Sequence, residues 1–341
     1  MLLFVFALAA IRANAAPLAV KVSGNQLIDG NGKTIRLIGV NRSGTEYRCV
    51  SRWAGIFDGP SDDASIAAMA SWHINTVRVP LNEDCWLGIN VVNPQYSGAT
   101  YRNAIVDYVN RLHRYGLYAV LDLHWNSAGS GVARKQQEMA DANYSPAFWR
   151  SMANTFKGDP ATLFDLYNEP HGSASQWPVW RGGGSSPKGW QMCGMQTMVD
   201  AVRGTGATNV MVITGAGWGN DMFGWLANMP EDPLKQMVAS IHVYDTSGCK
   251  TAACYDSVLP QIIARVPLVA GEFGEHDCGH AQVVDPLMNW FDAHGAGYLG
   301  WAWDTGEGWN CRSGPGLIDN YSGTPNSYGA GLQMHLAAQE H

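Results

Sequence analysis

The sequence predicts an α/β fold, a single-domain (β/α)8 barrel of the TIM type, and three observations carry that prediction. Eight short runs rich in Val, Ile, Leu and aromatic residues recur along the chain, each bounded by Gly, Asn, Asp or Pro. The stretches between them are long enough for a helix, so the repeating unit is a strand and a helix of roughly 30 residues or more. Each run also closes on polar or aromatic residues that are costly to bury without a purpose, at the end where a barrel gathers its loops. At 341 residues and with no internal linker, the chain has the length of one such barrel.

In order, the strands are expected at 35–40, 76–81, 118–124, 162–168, 210–214, 238–244, 266–272 and 297–303. The second is apolar except for Arg78, the third ends in His124-Trp125 and the fourth in Asn168-Glu169. Trp218 lies just beyond the fifth, the sixth contains His242 and Tyr244, the seventh stops at Glu272, and the eighth carries Trp301 and Trp303. Amphipathic helices are expected at 63–72, 101–115, 146–156, 187–203, 255–265, 281–294 and 328–338. The second is the clearest, with Ile105, Tyr108, Val109 and Leu112 on one face and Gly116 as its stop.

Apolar residues make up 46% of the chain, ample for a large core, while charged residues are only 15%, against roughly 25% in soluble domains at large. The formal net charge is −7 and no basic stripe is present, which argues against nucleic acid or an anionic membrane surface as a partner. Residues 1–11 form an apolar stretch too short to span a bilayer, followed by Ala13-Asn14-Ala15. This pattern reads as an export signal over 1–15, with the barrel domain over 17–341 and a secreted product.

Seven cysteines agree with an oxidising destination. Cys249 and Cys254 are close enough to clip a loop; Cys49 with Cys85 would link the loops after the first two strands, and Cys278 with Cys311 those after the last two, leaving Cys193 free. Six cysteines allow 15 connectivities, and spacing alone does not choose among them.

The segment Leu166-Tyr167-Asn168-Glu169-Pro170 resembles the signature of glycoside hydrolase family 5, the large cellulase family. The resemblance runs through most of the chain, taking in Arg78, His124, His242, Tyr244, Glu272 and Trp303 in order. It implies an acid/base at Glu169 and a nucleophile at Glu272. The first loop, Val40-Asn41-Arg42-Ser43, departs from the family, many of whose members carry an aromatic there, and Cys49 and Cys85 are also unusual.

The residues support the same chemistry. Glu169 and Glu272 are separated by about three strand–helix units, which places them across one barrel mouth. Carboxyl groups about 5–5.5 Å apart attack and protonate a glycosidic linkage in a retaining hydrolase. Arg78 and the Tyr244 hydroxyl are expected to keep Glu272 ionised, and the opposing charge with aromatic surroundings to raise Glu169, helped by His242. Asn168 is placed for a sugar 2-hydroxyl and His124 for another hydroxyl.

Fourteen tryptophans suit the apolar faces of neutral sugar rings. Trp303, Trp301, Trp125, Trp218 and Asn41 form the expected substrate-facing set, with Trp303 as the floor next to the cut. Two other motifs fail: His276-Asp-Cys-Gly-His280 lacks four committed zinc ligands, and Gly215-Ala-Gly217 lacks the third glycine of a dinucleotide loop. Neither a metal nor a cofactor is expected.

The reading reached is a secreted, monomeric, retaining endo-β-1,4-glucanase acting on a neutral β-linked polysaccharide or oligosaccharide. The alternatives are a β-mannanase or xyloglucanase on the same barrel, a carbohydrate-binding barrel without turnover, and a metal-dependent barrel hydrolase.

Overall fold

The computed structural model describes residues 18–305 and 315–339. Eight parallel strands close into a barrel. They are β1 (Ile38–Asn41), β2 (Thr76–Asn82), β3 (Tyr118–Trp125), β4 (Thr162–Asp165), β5 (Met211–Thr214), β6 (Met237–Tyr244), β7 (Leu268–Gly274) and β8 (Gly297–Gly300), with β8 pairing back onto β1. The expected export signal at 1–15 and the residue Cys311 lie outside the described residues.

Side chains alternate between the two faces of each strand, and this period of two stratifies the barrel. Residues pointing outward, such as Val77, Val79 and Leu81 of β2 or Leu121 and Leu123 of β3, join one large core with the surrounding helices. Those pointing inward at the bottom, Tyr118, Val120, Leu163, Val212, Val238, Val269 and Leu299, form a second core. That inner core is capped from below by Val20, Val22 and Leu27. These three belong to a small antiparallel sheet of Val20–Ser23, Gln26–Asp29 and Thr34–Ile35. One step further up, the inward positions turn polar: Asn41, Arg78, Asp122, Asp165, Thr214 and Ser240. Above these come His124 and His242.

The longer helices are α1 (Asp63–Ala70), α2 (Ala99–Arg114), α3 (Ser145–Phe156), α4 (Met195–Arg203), α5 (Ala252–Ile263), α6 (Val284–Ala293) and α7 (Ser327–Ala337). Helix α2 buries Tyr101, Ile105, Tyr108, Val109 and Leu112, the face its spacing foretells. Several boundaries differ from expectation: β4 ends early at Asp165 and β8 at Gly300, and two elements start late. The run at 35–40 is split, because Ile35 pairs with Leu27 in the bottom sheet and β1 begins only at Ile38. Helix α4 begins at Met195, not 187, because Gly184–Ser185 and Gln191–Met192 first form a hairpin.

Cys49 is bonded to Cys85 and Cys249 to Cys254. Cys278 is also in a disulfide, and Cys193 is a buried free thiol.

Gly39 sits where β1 meets β2, and a Cβ there would overlap the Thr76 carbonyl oxygen. Gly39→Ala is expected to cost about 1–3 kcal/mol by overpacking a strand pair that cannot move apart. Chemical denaturation checks this against Gly158→Ala, where a Cβ meets nothing within 4 Å; equal midpoints would refute the argument.

Candidate active site

Arg78 is the inward residue of β2 one layer above the apolar floor, and it is fully buried. Its Nε donates to Asp165 at 2.8 Å, its Nη1 to Glu272 at 2.7 Å and to Asn41 at 2.9 Å, and its Nη2 to Asn168 at 2.8 Å. Nη2 also lies 3.0 Å from Asp122. Burial works against the guanidinium charge, yet Asp122, Asp165 and Glu272 outweigh it and hold Arg78 charged. Burial pushes Asp122 and Asp165 up to about 7 each, against the pull of Arg78.

Glu272 lies on β7 where its register slips against both neighbours, between Ile241 and His242 on β6 and across Ala270–Phe273 toward β8. Such bulges re-aim side chains beside active sites. Glu272 is buried, with Oε1 accepting from Arg78 and Oε2 accepting from the Tyr244 hydroxyl at 2.7 Å. Acceptance at both oxygens is the bonding pattern of a carboxylate.

Glu169 follows β4, and its side chain is 16% exposed. Its Oε1 lies 3.0 Å from His242 Nδ1, which in turn lies 3.6 Å from Glu272 Oε2. Glu169, His242 and Glu272 thus place one donor atom each within 4.8 Å of one another. Burial raises Glu169 to about 7, with Asp122 adding to the shift and His124 and Arg78 opposing it. Burial, and not the facing charge or aromatic neighbours expected from the sequence, is the leading cause of this rise, and the contributing carboxylate is Asp122. Burial lowers His242 and His124 to about 4, against the opposing pull of Glu272, so both rings are neutral at pH 7.

His124 is oriented by Asp122, 2.6 Å from its Nδ1, and lies flat against Trp301 with ring centres 5.4 Å apart. These residues open into a cavity of about 520 Å³ lined by Asn168, Glu169, Trp218, Tyr244, Glu272 and Trp301. A second hollow of about 550 Å³ adjoins it, sharing His124 and Trp301 and continuing past Tyr47, Trp53 and Trp125. The two form one aromatic-walled groove of the dimensions of an oligosaccharide site. A larger cavity of about 700 Å³ lies at the opposite end of the barrel, with no Asp or Glu in its lining.

Two members of the expected substrate-facing set are elsewhere. Trp303 is wholly buried, edge-on to Trp72 with ring centres 4.8 Å apart. Strand β8 ends at Gly300, so alternation no longer ties Trp303 to Trp301, and it is Trp301 that faces the groove. Asn41 is wholly buried, donating to the carbonyls of Gly271 and Leu299 while accepting from Arg78, so it braces the barrel and does not meet solvent. Trp125 lines the second hollow, and Trp218, 56% exposed, lies parallel to His171 at 3.6 Å on the far side of the first.

Sequence reasoning passed over Asp122, Asp165 and Gln136. The two aspartates had a signal, each being the one acid inside an apolar run; Gln136, in an irregular loop, had none.

As to metals, His276 is hydrogen-bonded to Asp245 and His280 to Asp285, so the His-Asp-Cys-Gly-His segment is dispersed among hydrogen-bonded pairs and a disulfide. The cluster of Glu169, His242 and Glu272 has the donors for a cation, but Arg78 already stands against Glu272 and repels a second positive charge.

A model of the cellulase family (glycosyl hydrolase family 5) matches residues 28–307. A mannan endo-1,4-beta-mannosidase of Cellvibrio japonicus is 25% identical over 303 residues, covering 87% of this chain and 61% of that protein. Endoglucanase 1 of a Robillarda species is 26% identical over 251 residues, 63% of this chain and 62% of that protein. The chain therefore spans about three fifths of the length of each of these relatives. In fold it is similar to a β-glucanase of Saccharophagus degradans, with a TM-score of 0.69 at 19% identity, covering 95% of this chain and 94% of that one.

Removing the central cation strands three buried acids. Arg78→Met is expected to cost about 3–5 kcal/mol at pH 7, the scale of breaking a buried ion pair from one side. Asp122 and Asp165 are raised, so they accept protons as pH falls, and the cost shrinks toward pH 5. Urea unfolding at both pH values checks this; a loss independent of pH would refute it.

Proposed function

The chain belongs to glycosyl hydrolase family 5, and from that premise we propose that it is a secreted, retaining endo-β-1,4-glycanase whose preferred substrate is β-1,4-glucan. The single observation that carries the reaction type is the approach of Glu169 and Glu272 to within 4.8 Å. That spacing suits direct attack by one carboxylate and leaves no room for the water an inverting enzyme needs between them. The long, aromatic-walled groove suits the apolar faces of sugar rings in a chain passing through, and the disulfides suit export.

Glu169, raised to about 7, is half protonated near neutrality and gives its proton to the leaving oxygen. Glu272, its oxygens aligned by Arg78 and Tyr244, attacks the anomeric carbon. Bonding to sugar removes its charge, after which Glu169, now ionised, takes a proton from a water whose oxygen attacks the anomeric carbon, breaking the bond to Glu272 and restoring both carboxyl groups. Neutral His242 stands between the two carboxyls and adds no net charge to either step.

A second reading, β-1,4-mannan as the preferred substrate, is favoured by the relatives of Cellvibrio japonicus, Streptomyces lividans and Salipaludibacillus agaradhaerens, each named a mannan endo-1,4-beta-mannosidase. Reducing-end release from carboxymethylcellulose, mannan, xyloglucan and laminarin separates the two, and silence on carboxymethylcellulose would reject the glucan.

Glu272→Ala is expected to lower turnover roughly 10⁴- to 10⁶-fold, the scale of losing a covalent nucleophile. Azide should restore activity on an activated aryl glycoside and yield a product of inverted configuration. Retained activity, or no azide product, would reject the role.

Because the acid form of Glu169 is required and its pKa is about 7, kcat/KM should fall as pH rises through 7, by about tenfold per unit beyond it. A profile flat to pH 9 would reject the assignment.

A further inference from the structure

We infer that Gln136 is a positioning residue for the proposed reaction, its single amide clamping the Asn168-Glu169 dipeptide so that the acid/base points at the scissile bond. This rests on the reading of Glu169 as the acid/base.

The need for a clamp follows from where the dipeptide lies. Regular pairing of β4 ends at Asp165. Beyond it, the Leu166 amide still donates to Val212 and the Asn168 amide to Leu123, after which the chain leaves the barrel. Glu169 thus stands past the last ladder bond, where strand geometry no longer fixes its direction.

Gln136 supplies what the ladder does not. Its Nε2 donates to the Glu169 carbonyl oxygen at 2.7 Å, and its Oε1 accepts from Asn168 Nδ2 at 2.8 Å. One planar amide therefore fixes consecutive residues, holding the side chain of Asn168 and the main chain of Glu169. With Asn168 Oδ1 already taken by Arg78, the Asn168 amide is locked in one orientation, its Nδ2 lying between Gln136 Oε1 and His124 Nε2, the latter at 3.4 Å.

The loop that carries Gln136 is itself pinned on both sides of it. The Ala133 amide donates to Asp84, and the Ala133 carbonyl accepts from Asn82. The Tyr167 hydroxyl donates to the Gln137 carbonyl at 2.8 Å, and the His171 amide to the Glu138 carbonyl. The Glu138 carboxylate is bound by the Ser173 amide and by Lys188. A half-buried glutamine held this firmly on a loop without regular structure is preorganised for its two contacts.

The effect on Glu169 has a definite direction. The charged and titratable groups facing it are His242, Glu272, His124, Arg78, Asp122 and Tyr244, with His171 Nδ1 on its carbonyl. Among them Gln136 is a neutral donor that favours the ionised carboxylate. Replacing it with glutamate puts a negative charge there, which favours the protonated acid.

The test compares wild type, Gln136→Ala and Gln136→Glu on the soluble polysaccharide that wild type cleaves and on the matching 2,4-dinitrophenyl glycoside. Its leaving group departs without a proton, so kcat/KM for it does not depend on the acid. For Gln136→Ala we expect kcat/KM on polysaccharide to fall about tenfold, a fraction of the 10²- to 10⁴-fold worth of a positioned acid, and the aryl glycoside value by less than about threefold. For Gln136→Glu the alkaline limb should move upward by about one pH unit. Equal losses on both substrates with an unmoved limb, or no loss on polysaccharide, would overturn the assignment. Wild type inactive on every polysaccharide and on the aryl glycoside would overturn the glycanase reading itself, and this inference with it.

Discussion

The Arg78 guanidinium, closed off from water, faces Asp122, Asp165 and Glu272 at 3.0, 2.8 and 2.7 Å, and the barrel mouth is arranged around that single charge. One cation cannot offset three buried carboxylates. Burial raises Asp122 and Asp165 to about 7 against the pull of Arg78, so near neutrality the cluster carries less than its full negative charge. A lysine would not serve as well, because its point charge lacks the fork that reaches five partners in different directions. The same fork holds Asn41 and Asn168, so a brace between barrel strands and the residue next to the acid are set by one side chain.

That constraint acts through the alternation of the strands. Most inward positions at the bottom are aliphatic or aromatic, which fills the lower barrel with an apolar core. Two residues further along each strand, the same face presents Arg78, Asp122 and Asp165; two further still, it presents His124 and His242. The layers form a gradient from dry core to wet groove, and the ion cluster lies at their junction. Burial there is deep enough to shift pKa values, while the groove above admits a ligand. The register slips on β7 then bring Glu272 to the side of the ring facing Glu169.

What could be read from the sequence follows the same physics. All eight strands declare themselves because a parallel strand covered on both faces must be apolar along its length, and polar exceptions such as Arg78 and Glu272 stand out against that background. Periodicity carries no information where regular structure stops. Trp303 was paired with Trp301 on the strength of alternation, but the strand ends at Gly300 and the two indoles part company. Asn41 looked like a groove residue because it closes β1, yet its amide is consumed by two carbonyls and a guanidinium. Gln136 was invisible because it lies in an irregular loop, where partners far apart in sequence decide its position.

Two glutamates with the same intrinsic chemistry end up with different environments, and the difference lies in which donors reach them. Glu272 receives a guanidinium at one oxygen and a phenol at the other, both contacts fixed by strands. Glu169 receives one ring nitrogen, and that ring is itself neutral because burial lowers His242 to about 4. A charged imidazole in the same place would hold Glu169 ionised and remove the acid. Neutrality of His242 is therefore a condition for the asymmetry, and it is secured by full burial beside the positive charge of Arg78. The cation that aligns one carboxylate thus also keeps the histidine from capturing the proton of the other.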